Sequence, residues 1–158
     1  MKEFAHFGEM VAHLAAMAAA QTLALHHGLE KCAIAIERTA KSEIGHYQGE
    51  VPPFAGWVEL ADSTKADRSA QGFSENDPLL RTGTLRDSLS HEVSALEAVI
   101  GSDSDIMVYQ ELGTSRIPPR AVLGPAAIRN KDLIIRTLGH AAAEGMLYGA
   151  GSSLGSLE

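Results

Sequence analysis

The sequence predicts an α+β domain on three observations: apolar residues recur at helical spacing through the N-terminal quarter, two short alternating segments meet at a tight turn near the middle, and a second helical pattern follows toward the C-terminus. At 158 residues the chain can bury roughly two-thirds of the surface its unfolded form exposes, enough for one core without covalent staples. A single domain is expected over 1–148, with 149–158 a flexible Gly/Ser-rich tail.

The first helix is expected over about 3–42. Phe4, Phe7, Val11, Leu14, Ala18, Thr22, Leu25, Leu29, Cys32 and Ile36 step at close to the 3.6-residue repeat. Gly28 weakens the helix by about 1 kcal/mol relative to alanine, which leaves room for a kink or a break there. An Ala-rich stripe also lets a partner element or another subunit approach closely. The segment MVAHLAAMAAAQTLAL falls short of the roughly twenty apolar residues a membrane span needs and carries His13 and Gln21. Glu3 and Glu9 spoil the positive leader of a secretion signal, so synthesis in the cytoplasm is expected. The single Cys32 cannot make an internal disulfide.

From 49 to 78 the pattern dissolves. Pro52, Pro53, Gly56, Gly72 and Pro78 interrupt it, and Glu59, Asp62, Asp67, Glu75 and Asp77 outnumber Lys65 and Arg68. The expectation is a long loop excursion with one helical turn after Trp57, the only tryptophan, which anchors it. Ser88–Val93 and Glu97–Gly101 then read as a hairpin around Ser94, Ala95 and Leu96, with Ile106–Tyr109 a third strand or a helical turn. Pro118 and Pro119 hold the chain extended, and Gly124-Pro125 offers a helix start. The last helix is expected to turn Ile128, Ile134, Ile135, Leu138 and Ala142 inward and to stop at Gly145 or Gly149.

Net charge is −7 with a pI near 5.4, which argues against sequence-independent DNA binding, a mode built on many Lys and Arg contacts to phosphate. His6, Glu9 and His13 share a helix face at spacings of three and four and form the best metal candidate; Glu43 with His46 is a second. Both sets are incomplete, and the expected reading is ordinary helix histidines with no metal or cofactor. A nucleophile elbow and a glycine-rich phosphate loop are both missing from the sequence. Glu111 reads as a structural carboxylate that accepts backbone N–H groups or pairs with arginine.

Two segments, PLLRTGTLRDSL (78–89) and YQELGTSRIPPRAVLGPA (109–126), taken with LADSTKADR (60–68) ahead of them, resemble the head-tail joining or tail-completion (neck) proteins of long-tailed bacteriophages and prophages. The likeness spans about Trp57 to Leu138, and it is the pairing of the motifs in this order that gives it specificity. Ala121 departs from it, standing where many relatives carry proline.

The resemblance implies a small fold in which the long helix and the C-terminal helix pack on a short antiparallel sheet. It also implies a homo-oligomeric, often hexameric ring at the neck of the virion, through which DNA passes without specific binding. Portal-side connector proteins and tail-tube or terminator proteins would be its partners, and neither catalysis nor a cofactor is implied. The positions carried over are Thr82, Gly83, Leu85, Arg86 and Ser88, then Glu111, Gly113, Thr114, Pro118, Pro119, Arg120 and Leu123. With Arg116, the arginines Arg86 and Arg120 are expected to fork onto carboxylates of a neighbouring subunit. Two alternatives stand beside this reading: a tail terminator capping the tail tube, and a small metal-dependent enzyme using His6, Glu9 and His13.

Overall fold

The structure is a computed structural model that describes residues 4–151, with side chains described over 4–145. Among the described residues there are six helices and one two-stranded antiparallel sheet, an α+β arrangement. The order is α1 (Phe7–Glu43), α2 (Asp62–Ala70), α3 (Thr84–Asp87), β1 (Leu89–Ser94), β2 (Glu97–Ser102), α4 (Asp105–Leu112), α5 (Leu123–Arg129) and α6 (Lys131–Gly151).

The chain forms two compact units whose residues interleave along the sequence. Among the described residues, one comprises 4–32, the hairpin tip 93–98 and 132–151; the other comprises 33–92 and 99–131.

In the first unit α1 runs through Gly28 unbroken. A Cβ at Gly28 would stand 3.2 Å from Leu138 Cδ2 and 3.3 Å from Ala141 Cβ, so the missing side chain lets α6 come close. Gly145 does the same further along, because a Cβ there would lie 2.5 Å from Gln21 Cα. Burial pushes the Cys32 thiol above its ordinary value, as suits a small core residue. The expected apolar stripe is not covered at its start: Phe7 (75% exposed), Val11 (47%) and Leu14 (54%) face outward.

The second unit holds most of the core: Ala33, Ile36, Ala40 and Ile44 of α1 are buried, as are Trp57, Leu89, Met107, Val122 and Ala126. β1 and β2 enclose a two-residue turn, Ala95-Leu96, shorter than expected, with Ala95 in the left-handed region (φ 49°). At the hairpin's base the Ser88 and Ser102 hydroxyls meet at 2.6 Å. His91 on β1 bonds the Glu37 carboxylate on α1, and this contact together with Lys41 holds that carboxyl below its usual value.

Three expectations need correction. The 49–78 excursion contains a nine-residue helix, α2, where one turn was expected. Its sequence, DSTKADRSA, has no apolar stripe; polar bonds hold it instead. Arg68, only 6% exposed, donates from Nε to Ser74 O (2.6 Å) and from its guanidinium to Leu80 O.

The C-terminal helix is two helices. Asn130 leaves helical geometry (φ −92°, ψ 5°), and its amide donates to Thr39 Oγ1 and Ala126 O, both at 2.8 Å. Ile128 (38% exposed) and Ile135 (59%) face solvent rather than a core. Finally, α6 runs past Gly145 and Gly149 to Gly151. Of the expected tail, 152–158 lies outside the described residues.

Candidate functional site: a groove where two distant motifs meet

The two motif segments line one groove of about 610 Å³ in the second unit. Thr82, Gly83, Thr84 and Leu85 come from the first; Arg116, Ile117, Pro118 and Arg120 come from the second. Leu79 and Arg81 ahead of the first motif's glycine, residues 58–61, the α2 residues Thr64 and Arg68, Ser104, and the α4 residues Ile106 and Gln110 complete the walls.

Each motif is shaped by backbone needs. Gly83, the residue ahead of α3, sits at φ 89°, a left-handed turn that glycine adopts without steric cost. Beside it Thr82 Oγ1 lies 2.8 Å from Thr84 Oγ1. In the second motif Gly113 sits at φ 72°, ψ 174°, in a region essentially confined to glycine. Thr114 then closes a tight turn: its N–H donates to Ile117 O (2.8 Å), while its Oγ1 accepts from the N–H of Arg116 (3.2 Å) and of Ile117 (3.1 Å).

Glu111 fixes the far end of this segment. Its carboxylate accepts from the backbone N–H of Val122 (2.7 Å), Leu123 (3.2 Å) and Gly124 (3.2 Å), donors at the start of α5 that have no partner within the helix. A negative side chain at a helix N-terminus is also favourable electrostatically. The structural reading of this carboxylate is therefore the one its bonds describe. Leu123 opens α5, and Trp57 ties the same stretch down by donating Nε1–H to Ala121 O at 3.0 Å.

The three arginines do not behave alike. Arg120 is 6% exposed and donates to Val58 O (2.9 Å) and Glu59 O (3.4 Å), so it clasps the chain rather than reaching outward. Burial holds its pKa below the ordinary arginine value, and its Nε finds no partner. Arg86 lies outside the groove lining and bonds the neighbouring Asp87 at 3.1 Å, a solvent-exposed pair of little energetic weight. Only Arg116 has an exposed side chain with no partner among the described residues. Pro118 and Pro119 are exposed, and Pro119 packs its ring against Gly113.

Sequence reasoning missed Arg68, Arg81 and Gln110 as members of the site. An arginine in a stretch with no apolar residues to hold it was the available signal for Arg68.

His6, Glu9 and His13 are not assembled into a ligand set. His6 Nδ1 accepts from Glu9 N–H at 3.1 Å, Glu9 accepts from Ala5 N–H at 2.9 Å, and the His13 ring packs against Phe4 with centroids 5.3 Å apart. Among the described residues no group of three or more His, Cys, Asp or Glu is placed to hold a metal ion. None of the described helices is long and apolar enough to cross a membrane.

Glu43, at the end of α1, is 3% exposed and pairs with Arg129 of α5. Pairing pulls its carboxyl down and burial pushes it up. Burial wins: one carboxylate oxygen has no partner, Arg129 is itself one-third exposed, and the Glu111 charge adds repulsion, so the carboxyl is raised to about 7. An acid raised above its unfolded value favours the folded state fully only below that value, and the advantage is lost as pH climbs through the folded one. Stability is expected to fall by roughly 1 kcal/mol between pH 6 and pH 8 from this group. Urea titrations at the two pH values check this, and Glu43→Gln should flatten the dependence; an unchanged slope in that variant contradicts the assignment.

Compared with protein-family models, with curated proteins and with solved structures, the chain matches none. The site thus stands on its geometry: a small α+β protein in which two separated motifs converge on one arginine-lined groove.

Proposed function

We propose that the protein is a structural component of virion assembly at the phage head-tail interface, working through subunit and partner contacts. One observation carries this reading: the two segments that resemble tail-completion proteins, 82–88 and 111–123, shape and line the same groove, where Glu111 and Arg120 bond backbone groups and hold the second segment in place. Such a stiffened segment loses little entropy on docking.

Exposed apolar side chains support association. Ile106 (56% exposed), Tyr109 (53%) and Leu112 (75%) stand out from α4, and Phe7, Val11 and Leu14 from α1. Phe7, Val11 and Leu14 recur at helical spacing on one face of α1, an exposed apolar stripe of the kind that serves association. The acidic balance of the chain suits a ring whose lumen lets a duplex slide.

The test is deletion of the gene in a particle-producing strain, followed by electron microscopy of the lysate. DNA-filled heads lying apart from tails of normal length are the expected result. Joined particles would overturn the reading, and tails of unregulated length would assign the chain to the terminator role instead.

A further inference from the structure

The groove is cationic in a chain of net charge −7: four arginines line it against one glutamate, and that glutamate, Glu59, is paired with Lys65 at 3.1 Å. Three of the arginines are committed. Arg68 and Arg120 bond backbone carbonyls, while Arg81 bonds Asp67 at 2.6 Å and lies over the Phe73 ring. Arg116 alone offers its whole fork.

Between these charges the walls are aliphatic, with Val58 (59% exposed) and Ile106 (56%) open to water and Leu79, Leu85, Ile117 and Pro118 beside them.

We propose that this groove receives a peptide segment of a partner chain in which a carboxylate is flanked by aliphatic side chains, with Arg116 gripping the carboxylate. This names the partner chemistry for the assembly reading above and rests on it. Charge complementarity selects a carboxylate, and a guanidinium fork matches its two oxygens. The aliphatic lining takes the flanking residues. A nucleic acid fits poorly: the lining holds no aromatic ring on which a base could stack.

Fluorescence anisotropy with the full chain tests the proposal, using a labelled octapeptide of alternating Glu and Leu, its Gln-Leu counterpart and an oligo-dT of similar length. The Glu-Leu peptide is expected to bind in a salt-dependent manner. Arg116→Ala should weaken it about tenfold, a loss of about 1.4 kcal/mol, and Arg116→Glu should abolish binding. Because Arg116 is exposed and unpaired, both variants keep the native circular dichroism spectrum, while Arg136→Glu in the other unit serves as a control with unchanged affinity. Equal binding of the Gln-Leu peptide, preference for oligo-dT, or indifference to Arg116→Glu would each overturn the proposal.

The two readings fail separately. If Arg116→Glu particles join normally while the deletion leaves heads and tails apart, the groove assignment falls and the assembly role stands. If the deletion leaves particles joined, the assembly role falls whatever the peptide does.

Discussion

Replacing Glu111 by alanine is expected to cost about 3–5 kcal/mol, because three backbone N–H groups at the start of α5 lose their only side-chain acceptor at once. Val122, the first of these donors, is fully buried, so water cannot readily take the carboxylate's place. Against the 5–15 kcal/mol that holds a typical domain together, the loss is large. Glu111→Gln keeps one oxygen but turns an amide donor toward the others, and should cost about 2 kcal/mol.

The check is the urea midpoint, with an unchanged slope showing that the same surface is exposed on unfolding. A change below about 0.5 kcal/mol for the alanine variant would mean that the three bonds contribute nothing. The substitution also reaches Glu43: removing the like charge should lower that buried carboxyl from about 7 and weaken the pH dependence.

Gly113→Ala is the second large effect, again expected at about 3–5 kcal/mol. The backbone at φ 72°, ψ 174° costs an alanine about 1–3 kcal/mol by itself. The added Cβ would then stand 2.9 Å from Pro119 N and 3.0 Å from Ile117 O, atoms of a turn closed by its own hydrogen bonds and stiffened by proline. Overpacking against backbone adds about 1–3 kcal/mol more. Gly139, in the middle of α6 with nothing within 4 Å of a built Cβ, gives the contrast: alanine there should stabilise by roughly 0.5–1 kcal/mol through helix propensity. Thermal melts of the two variants side by side measure both signs, and a Gly113→Ala protein that melts with the parent would show that the turn relaxes freely.

The parts of the fold that periodicity could reach were legible before any coordinates. α1 announces itself through its repeat, and the hairpin through alternation broken by a turn, to within a residue at each strand end. What periodicity could not reach was held by polar bonds. α2 has no apolar face; Arg68 and its two carbonyl acceptors keep it in place. The division of the C-terminal helix depends on one amide, Asn130, finding Thr39 ninety-one positions away.

The site divides along the same line. Which residues belong to the two motifs could be read from their order. That Arg120 is an inward clasp, Arg86 a bystander to the groove and Arg116 the free fork depends on burial and partners, and no spacing rule encodes those. Gly28 carries a similar lesson: judged by propensity it weakens a helix, and judged by its neighbours it is the point where two helices can touch.

Trp57 gives the molecule an optical consequence. Its indole is the chain's sole strongly emitting chromophore, shielded from solvent and tethered to the carbonyl that immediately follows Arg120. Emission at long wavelength therefore reports on that one stretch of backbone, so loosening of the chain beside Arg120 can be followed by light alone, without a label.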